Sequence, residues 1–393
     1  RDGGEQSLQD TRELVIVEPN LTLDKSVNPG TASGGDSITF TVVAGNTNGG
    51  NLARAWEPAL ADTLPARFQN LTLDSATLSR GAGENLTNAA CTVVSGQSID
   101  LTLDCLVDAG ERYLAPSETI TLVYSATLDP EVAFEETVTN SAAVTATSLP
   151  GAKGTADAAP GDAGSATGER RGDGGVNDLA ANDNATVTAD RPSLTKTVAD
   201  PALQVGETTT VTLTIPVPVG QSGNFVLEDT LPTGLEYLGD AAIVLPAGVV
   251  AENNPAAPPA GAGPLTFDFG TVRNEATETR NIVISYSVRV LDVPGNTRGS
   301  NLTNTATLDF DGAVAPLPSD TASLVVREPD IELEKMITAG ATGSTAGSVV
   351  GYSLQVTNRD ASAIAYRVDL RDVLPAELLG GEPTFADIAL VNE

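Results

Sequence analysis

The sequence predicts an all-β protein: tandem immunoglobulin-like β-sandwich domains joined by proline hinges. Short segments alternate apolar and polar residues at a period of two, as in Ser37-Ile-Thr-Phe-Thr-Val42, where Ile38, Phe40 and Val42 share a face. Turn residues punctuate such segments roughly every 8–12 positions, and no stretch of useful length carries helical periodicity. One pattern also occurs three times. Asp10 leads through Leu14-Val-Ile-Val17 to Pro19 and Lys25, Asp183 leads to Pro192 and Lys196, and Asp320 leads through Leu324-Val-Val326 to Pro329 and Lys335. The Asp-to-Pro distance is nine residues each time. Proline cannot donate to a central ladder, so each copy reads as the last strand of one domain, a hinge, and the first strand of the next.

Taken in order, residues 1–18 read as the tail of a preceding β domain with one strand, Leu14–Val17. A full repeat is expected over 19–191. Its strands are Leu21–Leu23 continuing to Lys25, Ser37–Val42, a strand ending at Asp62-Thr-Leu-Pro65, Leu71–Leu73, Thr92–Val94, Ile99–Leu103 and Ile120–Thr127, with Val138–Val144 to close. A second repeat over 192–328 copies the order: Val211, Leu213 and Ile215 alternate, Asp229-Thr-Leu-Pro232 recurs, and Leu265–Gly270 replaces Leu101–Cys105. Ile282–Val290, with Tyr286, replaces Ile120–Thr127, with Tyr124, and Leu302–Leu308 replaces Val138–Val144. An incomplete third repeat over 329–393 reaches Asp372-Val-Leu-Pro375. A Gly-, Ala- and Asp-rich stretch at about 148–182 reads as a long surface loop before a final strand. Aromatic residues make up 4% of the chain, so cores of Val, Leu, Ile and Ala are expected, and small cores call for a covalent or metal staple.

Composition excludes several function classes. The chain has 52 acidic residues against 21 basic and no His, for a net charge of −31. Nucleic acid and anionic membrane surfaces are excluded as partners, because both need clustered Lys and Arg. No stretch approaches the roughly 20 apolar residues of a membrane helix. No nucleophile–His pair exists, and no phosphate-cradling glycine pattern precedes a helix. The two cysteines, Cys91 and Cys105, read as one hairpin disulfide formed in an oxidising, extracellular compartment. The acidic surface reads first as a solvated, self-repelling one. A Ca²⁺ reading stays beside it, for which the oxygen-rich loop Asp173, Asn177, Asp178 and Asp183 is the candidate ligand set.

Several residues recur together. They are Lys25-Ser-Val and Lys196-Thr-Val, Gly35-Asp36 and Gly206-Glu207, Asp-Thr-Leu-Pro at 62 and 229, and Thr-Asn140-Ser-Ala and Thr-Asn304-Thr-Ala. In this ordered set the chain resembles the bacterial surface-protein repeat family of the domain-of-unknown-function-11 type. It resembles more closely the fimbrial isopeptide-forming domains of large secreted bacterial proteins. The resemblance implies a single-turnover, autocatalytic crosslink between a first-strand lysine and a last-strand asparagine, so the protein would not be an enzyme in the ordinary sense. Lys25 would pair with Asn140 and Lys196 with Asn304. A buried lysine tends toward the neutral, nucleophilic amine, and a neighbouring carboxylic acid would polarise the carboxamide and shuttle protons. By position the acids would be Asp104 and Asp268, with Glu118 and Glu278 as runners-up. The Lys-to-Asp spans, 79 and 72, and the Lys-to-Asn spans, 115 and 108, both shorten by seven between repeats. The bland reading places the lysine amine in solvent at a sheet edge and the asparagine in a turn.

The function expected is that of a structural repeat on a bacterial surface: a stalk, adhesin or filament component whose partners are neighbouring repeats or other copies. Two alternatives stay open. One is a ligand-binding adhesin for a glycan, host or ice surface. The other is a self-polymerising pilus or sheath subunit that exchanges strands.

Overall fold

The computed structural model describes residues 10–15, 17–47, 52–88, 90–147, 179–261, 263–340 and 345–378. Among them, strands follow one another almost without interruption. The first group is β1 (Leu21–Asn28), β2 (Thr31–Ala32), β3 (Ser37–Asn46), β4 (Ala55–Thr63), β5 (Phe68–Leu78), β6 (Glu84–Asn85), β7 (Thr92–Ser95), β8 (Ser98–Thr102), β9 (Tyr113–Leu114), β10 (Thr119–Leu128), β11 (Thr137–Thr147) and β12 (Leu179–Ala189). They form two sheets, ordered β1-β3-β10-β5-β6 and β2-β12-β11-β4-β8-β7, with β9 added to β4. Most pairs are antiparallel; β2 joins β12 in parallel. Alternation decides the layering. Along β10, Ile120, Leu122, Tyr124, Ala126 and Leu128 point inward and are buried, while the intervening residues are half-exposed.

The second group repeats the plan. Its strands are β13 (Thr195–Val198), β14 (Ala202–Gln204), β15 (Thr208–Val217), β16 (Gly220–Ser222), β17 (Val226–Thr230), β18 (Leu235–Tyr237), β19 (Ala242–Val244), β20 (Val249–Ala251), β21 (Pro264–Asp268), β22 (Val272–Asn274), β23 (Arg280–Val290), β24 (Asn301–Asp309) and β25 (Ser319–Arg327). One sheet runs β13-β15-β23-β18, with β19 also on β23, and the facing sheet runs β14-β25-β24-β17-β21. The strands common to both keep the order of the first sandwich, including a parallel pair, β14 with β25; β6, β7 and β9 have no counterpart in these two sheets. A short third sheet, β16-β22-β20, flanks it. Beyond Pro329, β26 (Ile331–Ala339) and β27 (Gly351–Asn358) form an antiparallel hairpin. The chain is thus all-β, with immunoglobulin-like sandwiches in tandem.

Four details differ from the sequence reading. Leu14–Val17 was expected as a strand, but its described residues adopt no regular structure, and Leu14 is exposed. The strand that closes the first sandwich is β12, which already begins at Leu179, inside the stretch read as loop. Residues around Asp372 form no strand. The cores are also more aromatic than composition suggested. Phe40, Phe68, Phe134, Phe225, Phe267, Phe269, Tyr124, Tyr237 and Tyr286 are among the largest fully buried side chains. Most of the described aromatic residues lie inside, with Tyr366 an exposed exception, because one ring buries more area than one Val.

The two sandwiches meet through the loop between β10 and β11. Phe134 belongs by sequence to the first sandwich but packs in the core of the second, against Phe225 and Phe310 at centroid distances of 6.5 and 6.0 Å. Backbone bonds brace it: Phe134 N–H donates to Gln221 O (3.1 Å), Gln221 N–H to Val132 O (3.0 Å), and Gly34 N–H to Val219 O (2.9 Å). Cys91 and Cys105 are joined by a disulfide beside β7 and β8.

Candidate functional site

Each sandwich interior holds a polar cluster around its lysine. In the first, Lys25 on β1 and Tyr124 on β10 come from one sheet, and Asp62 on β4 and Asn140 on β11 come from the other. Strand parity puts all four inside. Lys25 follows Leu21 and Leu23 at period two, Tyr124 lies opposite Phe40 in register, and Asp62 faces Ala142, two residues from Asn140 on the same side of β11. The Lys25 and Asp62 side chains are wholly excluded from solvent. Lys25 Nζ donates to Asp62 Oδ2 at 2.6 Å. The Tyr124 hydroxyl donates to the same carboxylate oxygen, and Asn140 Nδ2 donates to the Tyr124 hydroxyl at 2.8 Å. Phe40 roofs the amine, its ring centre 5.3 Å from Nζ.

The second sandwich repeats the cluster. Lys196 Nζ donates to Asp229 Oδ1 (2.5 Å), the Tyr286 hydroxyl donates to Asp229 Oδ2 (2.5 Å), and Asn304 Nδ2 donates to the Tyr286 hydroxyl (2.9 Å). Both carboxylate oxygens are therefore engaged, one by the amine and one by the phenol. The last strand adds a further carboxylate each time: Asp183 Oδ2 accepts the backbone N–H of Lys25, and Asp320 Oδ2 that of Lys196, both at 2.7 Å. At the third copy, Lys335 Nζ reaches both oxygens of Asp372 (2.6 and 2.8 Å) with both side chains partly exposed.

Burial sets the electrostatics. Lys25 and Lys196 are held below the usual lysine pKa, chiefly because desolvation disfavours the ammonium, against the opposing pull of Asp62 and Asp183 or of Asp229 and Asp320. The Tyr124 and Tyr286 hydroxyls are pushed far above the ordinary phenol range by burial, and then by the adjoining aspartate. Each tyrosine therefore stays protonated, with one proton to give. That proton goes to the carboxylate, so the phenolic lone pairs face the asparagine, and the carboxamide must turn its Nδ2 toward them. Its carbonyl then points elsewhere: Asn140 Oδ1 and Asn304 Oδ1 are buried without a hydrogen-bond partner among the described residues, as is Asp62 Oδ1. The first cluster thus holds two orphan acceptors and the second one, Asn304 Oδ1. When the ammonium proton moves onto the carboxylate, the lysine is left as a free amine, and the acid gains a donor for the carboxamide oxygen.

The acids named from sequence are not in this cluster. Asp104 lies on the outward parity after Leu103, half-exposed and ion-paired with Arg112 at 2.9 Å. Asp268 sits exposed between the buried Phe267 and Phe269 and accepts from Gly270 N–H. Glu118 is bound to Arg80 and Glu278 to Arg280. The carboxylates that do meet the lysines belong to the repeated Asp-x-Leu-Pro tetrapeptides, at separations of 37, 33 and 37 residues. Of the candidate Ca²⁺ ligands, Asp173, Asn177 and Asp178 lie outside the described residues, and Asp183 is occupied by the Lys25 backbone.

No protein-family model matches the chain, and no curated protein does. Among solved structures, the chain aligns with the C-terminal domain of the antigen I/II polypeptide BspA of Streptococcus agalactiae at 12% identity, covering 78% of this chain and 99% of that one, with a TM-score of 0.29. It aligns with the Actinomyces fimbrial adhesin FimA at 12% identity, covering 77% and 96%, with a TM-score of 0.28. It aligns with BcpA, the major pilin subunit of Bacillus cereus, at 12% identity, covering 79% and 67%, with a TM-score of 0.27. The fold described above rests on the chain's own strand order and not on these alignments. Among the described residues, no helix is long and apolar enough to cross a membrane.

Proposed function

We propose that this chain is a tension-carrying section of an extracellular bacterial surface structure, a stalk or pilus-like rod, in which each sandwich closes itself with an amide between its lysine and its asparagine. The observation that carries the reading is the same Lys–Asp–Tyr–Asn cluster at the same strand positions in two tandem sandwiches. A buried ion pair is weak as a stabiliser, since desolvation offsets most of its attraction. A cluster built twice around one therefore points to chemistry. The amine attacks the Asn Cγ, the aspartic acid stabilises the carbonyl oxygen and shuttles protons, and ammonia leaves. Lysine and aspartate come from facing sheets, and so do lysine and asparagine, so each bond would staple the two layers of a sandwich.

Intact mass of the folded full chain tests this. Two bonds remove two ammonia molecules, about 34 Da together, and peptide mapping should place the losses at Lys25–Asn140 and Lys196–Asn304. An unmodified mass after correction for the disulfide would end the proposal.

A further inference from the structure

We infer that Tyr124 and Tyr286 are catalytic proton relays that deliver a proton to the departing nitrogen of Asn140 and Asn304, an inference that rests on the crosslink reading above. Each phenolic oxygen touches the nitrogen that must leave, at 2.8 and 2.9 Å, and each also touches the acid. Among the described residues, tyrosine is thus the side chain that bridges the proton source and the leaving group in both sandwiches. The aspartate contacts lysine and tyrosine, and Tyr286 binds the carboxylate oxygen that Lys196 leaves free.

The sequence of events balances. The neutral Nζ forms a bond to Cγ, and the carbonyl π pair moves to Oδ1. In the intact carboxamide, Nδ2 is conjugated and cannot accept a proton, so it donates to the phenol. In the tetrahedral intermediate, Nδ2 is an ordinary amine with a free pair, and the hydrogen bond reverses. The phenol then gives its proton to Nδ2 and takes one from the aspartic acid. The carboxylate is re-protonated by the surplus proton on Nζ as the Cγ–Nδ2 bond breaks. One Lys–Asn amide and one ammonia are formed, and aspartic acid and tyrosine end as they began. Because burial keeps the phenol from ionising, it serves as a conduit and not as a base.

The test uses the full chain made by cell-free synthesis, with intact mass sampled over time for wild type, Tyr124→Phe and Tyr286→Phe. Phenylalanine preserves the ring; Trp56 emission checks folding of the first sandwich, and calorimetry with circular dichroism checks the second. Should one variant not fold, the other asks the same question in the other sandwich. Wild type is expected to lose both ammonias, and each variant to lose its own about 10²–10⁴-fold more slowly, the usual contribution of a positioned acid–base group. The residual rate should rise as pH falls, since the departing nitrogen must then be protonated from water, whereas the wild-type rate stays flat. Equal rates in variant and wild type overturn the relay and leave the crosslink standing. So does a slower variant with an unchanged pH profile, which is what a packing role alone would give. A wild-type chain that retains both ammonias overturns the crosslink reading and the relay with it.

Discussion

Phe134→Ala tests whether the two sandwiches are mechanically one piece. The Phe134 ring lies in the second sandwich's core and is 1% exposed, although its backbone belongs to the first. Truncating a buried phenylalanine to alanine costs about 3–5 kcal/mol, and here it removes two aromatic contacts, with Phe225 and Phe310, each worth about 0.5–1.5 kcal/mol of that. For a unit of this size, each kcal/mol lowers the melting temperature by about 2–4 °C, so the second sandwich should melt roughly 6–20 °C lower. The two units can be watched separately. The chain's single tryptophan, Trp56, lies in the first, so its emission follows that unit, while calorimetry records both. Calorimetry should show the second transition moving down while the Trp56 transition holds. Gly220→Ala attacks the same joint from the other side: its added Cβ would sit 2.9 Å from the Phe134 ring and from Val132 O, at a φ of +146° that alanine rarely adopts. If both variants left the second transition within about 1 °C of wild type, Phe134 would be a passenger and the inter-sandwich core an error.

Other outcomes follow from the clusters. Asp62→Ala should block the loss of ammonia from the first sandwich only and, by stranding Lys25 in the core, cost about 3–5 kcal/mol in urea melts followed at Trp56. In an Asn140→Ala/Asn304→Ala chain, which cannot crosslink, Lys25 and Lys196 remain titratable. Their folded pKa values lie below the ordinary 10.5, so unfolding takes up protons and stability should climb as pH rises toward 10.5. Tyr124 and Tyr286 act oppositely: held above the ordinary 10.0, they keep their protons when folded, and stability should fall as pH passes 10.0 and the unfolded phenols ionise. Urea midpoints across that range would show a rise followed by a fall; a monotonic curve contradicts the assignment. Replacing Cys91 and Cys105 with Ser should destabilise the first sandwich by about 3 kcal/mol, as expected for releasing a loop of about 15 residues, and leave the second untouched by calorimetry.

The fold class was legible because period-two alternation is a direct image of a half-buried strand, and Val211-Thr-Leu213-Thr-Ile215 admits no other reading. Repetition carried much of the rest: at Asp183 and Asp320 the Asp-to-Pro pattern recurs because the same last strand, hinge and first strand recur. The carboxylates that lie against the lysines are not those that spacing picks out, and the reason is physical. Asp268 ends β21 on the outward parity and Asp104 lies exposed in the turn after β8, and sequence spacing alone does not say which residues face in. Asp62 and Asp229 were in view within the repeated Asp-Thr-Leu-Pro, read only as a strand end against a proline. An inward aspartate between Leu60 and Leu64 breaks the apolar stripe, and that break was the available signal. Tyr124 and Tyr286 match each other across the two repeats, but the sequence by itself assigns them no role. Their pairing with asparagine crosses between sheets, which no linear pattern records.

The position of the last strand has a consequence for how such a rod would yield. A bond from Lys25 to Asn140 encloses the second half of β1, all of β2 to β10 and the first residues of β11, but β12 lies beyond it, held by its ladder to β11 and by Asp183 on the Lys25 backbone. Pulled from its ends, a crosslinked sandwich would first peel that outer strand and then go taut. Between Asn140 and Lys196 run 56 positions, a chain length of about 190 Å when drawn straight, against 31 positions and about 100 Å between Asn304 and Lys335. The rod would lengthen in two unequal, reversible steps while both stapled interiors stayed folded, a spring in series with inextensible links.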